Sequence, residues 1–243
     1  MSEVWTVCRR ELGAVFANPV AAIFVLAFVG LSAALTFHLG GFFARGRADL
    51  IPFFRFHPWL HLVLMPALAM RLWAEERNRG TLELLVTLPL RPGALVLGKF
   101  LAAWLVAGLA LALTAGLPIT VAVLGTPDPG PMVSGYLGSW LLAGGFLAVS
   151  AAASAATRNQ AVAFVLGAGL CLLLLAPGTE LAAEALTGLG LAPGRAAMAV
   201  SLLVPYDTLV DGHVTVAALG RFAVLIAVAL FINLRLVTAL EGR

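Results

Sequence analysis

The residues with the clearest chemical spacing are Gly93 and Gly98, with Lys99 directly after them. This spacing begins a phosphate-binding loop, in which backbone N–H groups and a lysine hold the phosphates of a nucleotide. The motif also needs a hydroxyl side chain after the lysine to bind Mg²⁺, but Phe100 stands there. No strand pattern precedes it, and the segment opens an apolar stretch typical of a membrane helix. We therefore expect no cofactor in this chain, so another subunit would have to hydrolyse any ATP that is used.

Histidines and cysteines are the other candidates for metal chemistry, and the chain has four histidines and two cysteines. Grouped imidazoles can bind copper or zinc. The histidines show no short ligand spacing, and incidental positions near the outer face explain them better. Cys8 and Cys171 are far apart in sequence, so neither a disulfide nor a metal site is predicted. The histidines are His38, His57, His61 and His213.

Ser139, which follows Gly138, raises the possibility of an intramembrane serine protease. A serine nucleophile needs a base within hydrogen-bond reach and a third group that orients the base. We expect no histidine at the depth of Ser139 on a neighbouring span with such a partner. The sequence therefore predicts that this chain is not an enzyme.

A charged segment from Met70 to Lys99 is the only long polar interruption in the first half of the chain. It holds five of the fifteen basic residues and three of the twelve acidic ones. Apolar segments long enough to enter a bilayer flank it on both sides. We interpret residues 75–92 as a loop between two membrane spans, and its positive excess places it in the cytoplasm.

The order of residues within this loop predicts a short second helix. Gly80 readily adopts the conformation that ends a helix, and Thr81 can cap the next one. Glu83 then lies in the first turn, where the helix dipole favours a carboxylate. Pro89 ends the short helix, and Pro92 stands where the next long helix begins.

The leucines of this short helix need a partner. Leu84, Leu85 and Leu88 have helical spacing, and the segment has almost no charge. A two-turn helix of this kind is not stable alone in water. It must lie in the surface of another protein, or else at the membrane interface as part of an otherwise solvated loop. We favour the first interpretation, a docking element.

Composition predicts an all-α polytopic membrane protein. The chain of 243 residues is 61% hydrophobic and 11% charged, with a mean hydropathy of +1.02. Soluble domains carry about 25% charged residues. The net charge of +3 is spread over loop ends and gives no sign of nucleic-acid binding. We expect one transmembrane domain over residues 1–243, embedded in the lipid bilayer.

Six spans are predicted, preceded by an interfacial helix at 4–17 whose apolar face holds Trp5, Cys8, Leu12, Val15 and Phe16. The spans are Pro19–Gly41, Pro58–Trp73, Ala94–Leu124, Met132–Ala156, Ala161–Ala176 and Ala217–Val237. Residues 126–131 form a proline-rich turn, and residues 177–213 form an outer segment with one or two short interfacial helices. With both termini in the cytoplasm, ten basic residues lie inside and five outside. This is the bias that the positive-inside rule requires.

The residues in the middle of the spans indicate whether the chain could be an ion-driven carrier. Spans one, three, four and five have no ionisable residue in the middle, which argues against an ion-driven carrier. Span four is rich in small residues, which let helices approach closely. These could form a dimer seam or a substrate path, but ordinary helix packing is the better explanation.

The charged segment resembles a known family. Its motif is Glu75-Glu76-Arg77-x-x-Gly80-Thr81-Leu82-Glu83-Leu84-Leu85-x-Thr87-Leu88-Pro89, followed by Gly98-Lys99. It is similar to the loop of ATP-binding-cassette (ABC) exporter permeases of the second type. The branch it resembles most contains the gliding-motility-associated permease and the permease of nitrous-oxide-reductase maturation. Residues 128–136 and 157–160 are also similar to that branch.

The resemblance implies a function and a set of partners. It implies a permease subunit of an export complex in the bacterial inner membrane, with ATP and Mg²⁺ on a separate ABC ATPase. It further implies a second permease copy or a paralogue, and leaves open an auxiliary subunit with an extracytoplasmic domain. A non-transporting scaffold that passes mechanical work to an outer partner is the alternative. The implied ATPase-coupling residues are Glu75, Glu76, Arg77, Gly80, Thr81, Glu83, Leu84, Leu85, Leu88 and Pro89.

Overall fold

The structure is a computed structural model that describes residues 3–17, 19–43, 46, 48–80, 90–182, 184 and 200–241. Every regular element in these ranges is a helix. The helices are α1 (Glu3–Phe16), α2 (Pro19–Ala34), α3 (Ile51–Arg55), α4 (His57–Ala69), α5 (Arg71–Arg79), α6 (Pro92–Ala112), α7 (Gly116–Leu124), α8 (Pro129–Ala156), α9 (Gln160–Leu175), α10 (Leu203–Val210) and α11 (Val216–Glu241). A π-helical turn extends α2 to Leu39, and a 3₁₀ turn joins α6 to α7.

Five stretches of the described chain are helical, apolar and long enough to cross a membrane. They are Ala21–Leu39, Pro92–Leu124, Pro129–Ala156, Gln160–Gly178 and Val216–Ala239. The prediction of an all-α polytopic membrane protein is therefore confirmed. The predicted span at 58–73 is not among the five, because the helix is interrupted at Met70 and its apolar part, α4, has 13 residues.

Helices α4 and α5 nevertheless run side by side with α8. His57, at the start of α4, contacts Ser139, and the backbone N–H groups of Trp73 and Ala74 donate to the Ser154 hydroxyl at 3.2 and 3.1 Å. The two contacts are about 22 Å apart along α8, at 1.5 Å per residue. The α4–α5 pair thus covers much of the length of a membrane helix, and the count of six spans stays a prediction.

Helix α8 is the centre of the bundle, and its small residues admit neighbouring side chains. A Cβ added at Gly144 would lie 2.8 Å from the Trp104 ring, and one at Gly138 would lie 3.1 Å from Leu209. Such close approach is possible only because these positions lack side chains. The small residues therefore serve packing within one chain, as predicted, and this face is not free to form a dimer seam.

One boundary prediction is wrong. Helix α8 begins at Pro129, so the non-helical turn is shorter than residues 126–131. Prolines are tolerated there because the first helical turn leaves its N–H groups unpaired, and Asp128 accepts a hydrogen bond from the Gly130 N–H at 2.9 Å. In the outer segment, α10 packs against the bundle, since its Tyr206 is buried and donates to the Phe54 carbonyl at 2.7 Å. Residues 185–199 lie outside the described ranges.

The apolar face predicted for α1 is only partly buried within the chain. Val7 and Cys8 are buried, whereas Trp5 is 49% and Phe16 56% exposed. The reason is that α1 packs along α6, where Gly98 brings the two helices so close that an added Cβ would lie 2.6 Å from the Val7 Cβ. The face turned to α6 therefore contains Val7, and the two large aromatic residues point away from the bundle.

Candidate functional site

The candidate site is the base of the predicted coupling segment, where α5 ends and α6 begins. Gly80 has a φ of +70°, and its N–H donates to the Glu76 carbonyl, so it ends α5 as predicted. Pro92 begins α6, also as predicted. The segment between them, 81–89, lies outside the described residues. Among the predicted coupling residues it contains Thr81, Glu83, Leu84, Leu85, Leu88 and Pro89.

Lys99 is the electrostatic centre of this base. Its ammonium lies 2.7 Å from the Glu76 carboxylate of α5 and 3.2 Å from the Glu11 carboxylate of α1. Its side chain is only 2% exposed, and it also lies over the Trp73 ring at 5.4 Å. A buried ammonium needs such partners, because its transfer from water is otherwise very costly. One lysine therefore joins three helices.

The two carboxylates around Lys99 respond differently to this environment. Burial raises the pKa of Glu76, and the attraction of Lys99 offsets this only in part. Burial also acts to raise the pKa of Glu11, but Lys99 and Arg10 together bring it below its ordinary value. The environment thus favours the charged form of Glu11. For Glu76, burial makes the charged form less favourable than it is in water.

Glu75 and Arg77 are paired within the chain as well. Glu75 accepts from Arg71 at 2.8 Å and lies 2.6 Å from an Arg79 nitrogen. The Arg77 guanidinium donates to the Ala155 carbonyl at the end of α8, at 2.6 Å. Of the four charged residues predicted for coupling, the three that the structure describes, Glu75, Glu76 and Arg77, all contact their own chain at the base of the segment.

Helix α1 takes part in this base, which the sequence interpretation missed. Its Glu3 carboxylate accepts from the Arg91 backbone N–H at 3.4 Å, and its Glu11 reaches Lys99. Arg91 is the residue directly before α6, and Lys99 is the eighth residue of that helix. One signal was available in the sequence: Lys99 is the only lysine in the chain, and it stands within an apolar helix. The sequence did not show which carboxylates face it.

A second polar cluster lies towards the other end of α8. His57 and His61 are buried, and the His57 Nδ1 atom is hydrogen-bonded to the Ser139 hydroxyl. A histidine therefore does lie at the depth of Ser139, a position that the sequence interpretation did not give it. The reason is that α4 starts beside α8, which brings residues 82 positions apart into contact.

This pair nevertheless lacks the features of a hydrolytic site. The His57 Nε2 atom has no hydrogen-bond partner among the described residues, so no acid orients the ring. Ser139 is fully buried, which leaves no room for a substrate. The arrangement gives a nucleophile without an orienting group or access. The described residues also contain no group of three or more potential metal ligands.

Comparison with known protein families identifies a family for this chain. Residues 50–240, more than three quarters of the chain, match a family model described as ABC-2 family transporter protein. No curated protein matches the chain. The matched range runs from the start of α3 to the last turn of α11 and includes the predicted coupling loop at 75–92, but it does not include α1 or α2. The match is to the family as a whole, so the resemblance to one branch stays a prediction.

Proposed function

The chain belongs to the ABC-2 family of transporter proteins, and we propose that it is the permease subunit of an export complex driven by a separate ATPase. It is a multi-pass membrane protein and a permease component of an ABC system. The family implies an ABC ATPase partner and usually a second permease copy. ATP and Mg²⁺ would be bound by that ATPase, and this chain would perform no chemistry itself.

We further propose that residues 81–89 are the element that docks on the ATPase. The observation that carries this proposal is the rigid base on which the segment stands. Glu76 and Lys99, on the helices before and after it, are joined at 2.7 Å in a part-buried ion pair. A displacement of the segment would therefore be passed to α5 and α6 together, rather than absorbed in a loose loop.

The route from this base into the bilayer runs through α5. Ser154 accepts from two backbone N–H groups of α5 and donates to the Met70 carbonyl at 2.9 Å. Movement of α5 would thus act on α8, the central helix, and through Met70 on α4. In this proposal both termini are cytoplasmic, the membrane is the bacterial inner membrane, and the second permease is a copy or a paralogue.

The decisive experiment changes the leucines of the segment. Burying one leucine stabilises an interface by roughly 1.5–3 kcal/mol. The double substitution Leu84→Asp and Leu85→Asp would replace this gain with the cost of burying two carboxylates. The variant should insert and fold normally but should no longer bind the ABC ATPase that co-purifies with the tagged wild-type chain. The rate of ATP hydrolysis by the ATPase should no longer change when this variant of the permease is added.

A matched control is Leu181→Asp, since Leu181 is 80% exposed and lies beyond the far end of α9. This variant should retain the ATPase at wild-type levels. If the Leu84/Leu85 variant also retains the ATPase with unchanged turnover, residues 81–89 are an interfacial helix, and the proposed coupling is wrong.

A further inference from the structure

A groove of about 490 Å³ lies between α11, the end of α9 and residues 200–202. Among the described residues its lining side chains are apolar, apart from Ser201 and Arg221. Ser201 is buried, and its hydroxyl already accepts from the Leu203 N–H at 3.1 Å. Arg221 is therefore the one charged side chain that this part of the structure presents to the groove.

The rotation of α11 places Arg221 on the outside of the bundle. Ala218 and Phe222 are buried, so this side of α11 packs inward. Arg221 is exposed, as are Val224 and Val228, which follow it by three and seven positions and therefore share its face. Since α11 is a candidate membrane span, this face meets lipid or another membrane helix.

Arg221 has no anionic partner within the described part of the chain. The ion pairs found there involve other cations, namely Arg10, Arg71, Arg79 and Lys99, and none of the hydrogen bonds includes Arg221. Residues 185–199, which lie outside the described ranges, contain no aspartate or glutamate. An arginine beside apolar membrane helices needs an anion. Its surroundings must supply one.

The depth of Arg221 corresponds to the phosphate layer of a bilayer. It is the sixth residue of α11, about 7.5 Å along the axis from Val216 at 1.5 Å per residue. Asp211 and His213, in the turn before α11, are exposed and mark the aqueous side. An arginine near the end of a span extends its guanidinium towards the interface. Val224 and Val228 then lie beside the acyl chains.

We propose that this groove binds a phospholipid of net negative charge, such as phosphatidylglycerol. The guanidinium of Arg221 donates charge-assisted hydrogen bonds to the phosphate oxygens, and one acyl chain follows the apolar lining. In a zwitterionic lipid, the headgroup ammonium neutralises its own phosphate, and no carboxylate among the described lining residues would bind that ammonium. The inference goes beyond the proposed function and does not depend on it.

A second copy of this chain fits this face less well than a lipid does. The five candidate spans contain no aspartate or glutamate. A span of another copy packed here would therefore leave Arg221 without a carboxylate in a low-dielectric contact, which is costly. An anionic phospholipid supplies the negative charge and the apolar contact together.

The test uses the purified full-length permease without any ATPase, so its outcome is separate from that of the coupling experiment. Phosphatidylcholine nanodiscs would be doped with equal amounts of phosphatidylglycerol and phosphatidylethanolamine, and the retained lipids would be identified by native mass spectrometry. We expect retention of phosphatidylglycerol about tenfold above either other lipid, which is the effect of one charge-assisted hydrogen bond. Equal retention of the three lipids would overturn the proposal. Displacement of the lipid by water-soluble glycerophosphoglycerol at the same affinity would also overturn it, because a soluble phosphate would then be the occupant.

Two substitutions of different chemistry localise the site. Arg221→Gln removes the cation. Gly220→Leu fills the groove, since nothing lies within 4 Å of a Cβ added at Gly220, and leucine is a better helix former than glycine. Each variant should lose the tenfold preference for phosphatidylglycerol.

Matched controls make the same changes elsewhere. Arg235→Gln alters an exposed arginine near the other end of α11, and Gly30→Leu alters a glycine of α2 whose added Cβ also meets nothing within 4 Å. Both should keep the wild-type preference. A wild-type preference in either groove variant, with its fold confirmed by thermal unfolding, would contradict the assignment. A groove variant that separates permease dimers without changing lipid retention would also contradict it, because a second copy would then cover this face.

Discussion

The Lys99 ammonium lies 2.7 Å from the Glu76 carboxylate, and this pair joins the two helices that flank the predicted coupling segment. The pair has a third member, Glu11, at 3.2 Å from the same nitrogen. Since Glu11 belongs to α1, the N-terminal helix is attached to the base of the segment. The cluster therefore links α1, α5 and α6 through two ion pairs at this end of the bundle.

Replacing Lys99 with Met should destabilise the protein strongly. Removal of one partner from a buried ion pair costs about 3–5 kcal/mol, because the remaining charges are left uncompensated. The two glutamates are partly exposed, so we expect the lower part of that range. Thermal unfolding in detergent would measure it. The double variant Lys99→Met/Glu76→Gln also removes one of the two carboxylates that Lys99 paired with, and it should recover part of the loss. No difference between the single and double variants would contradict the shared pairing.

Stability should depend on pH through Glu11. Its pKa is lowered in the folded state. The charged Glu11 carboxylate therefore makes its full contribution to the free energy of unfolding above the ordinary glutamate pKa of about 4.3. The contribution is lost as the pH falls through the lower, folded value. We therefore expect wild type to be more stable than Glu11→Gln at neutral pH, with the difference shrinking below about pH 4. Thermal unfolding of both proteins across this range provides the measurement. A difference that grows on acidification would mean that Lys99 does not hold the Glu11 carboxylate.

The close approach of α1 and α6 can be tested at Gly98. A Cβ there would lie 2.6 Å from the Val7 Cβ, which is fixed to its backbone and cannot rotate away. Gly98→Ala should therefore displace α1 and expose the neighbouring Cys8, which is fully buried. The readout is the rate of maleimide labelling of Cys8, in a background with Cys171→Ser. Gly93→Ala is the control, since nothing lies within 4 Å of its added Cβ. Equal labelling of the two variants would contradict the packing.

Ser139 should prove structural rather than catalytic. Ser139→Ala leaves the buried His57 Nδ1 atom without its hydrogen bond, which costs about 1–3 kcal/mol. The variant should therefore unfold at a lower temperature. The wild-type chain should not react with a fluorophosphonate probe, because Ser139 is buried and its base is not oriented. Stoichiometric labelling at Ser139 would reverse this interpretation.

The proposed topology predicts labelling from opposite sides of the membrane. Asn78 is exposed near the end of α5, and Thr126 is exposed in the turn before α8. Thr126 is preferable to Asp128 as a labelling site because Asp128 caps α8. A cysteine at Asn78 should react only from the cytoplasm and one at Thr126 only from outside. Burial and nearby Glu11 raise the pKa of Cys8, so this native thiol should add little background. Labelling of both sites from outside would contradict the six-span topology.

Several features could be predicted from the sequence because one residue type is enough to decide them. Gly80 ends α5 through a positive φ that other residues rarely adopt, and Pro92 opens α6 because its missing N–H is not needed there. The long apolar stretches likewise predict membrane helices by length and composition alone. The family could be predicted as well, since the charged loop motif lies within the matched range.

What only the tertiary structure decided is which sides of these helices meet. Lys99 contacts Glu11 from a position 88 residues away, and His57 contacts Ser139 across 82 residues. A membrane helix that is apolar all round has no polar face to indicate its rotation, so its sequence does not show which neighbours a single charged or polar residue will find. The same limit applied to α1, where the close approach at Gly98 turned Val7 inward and Trp5 outward. Local backbone chemistry is contained in the residue itself, whereas a contact between helices depends on the rotation and packing of both.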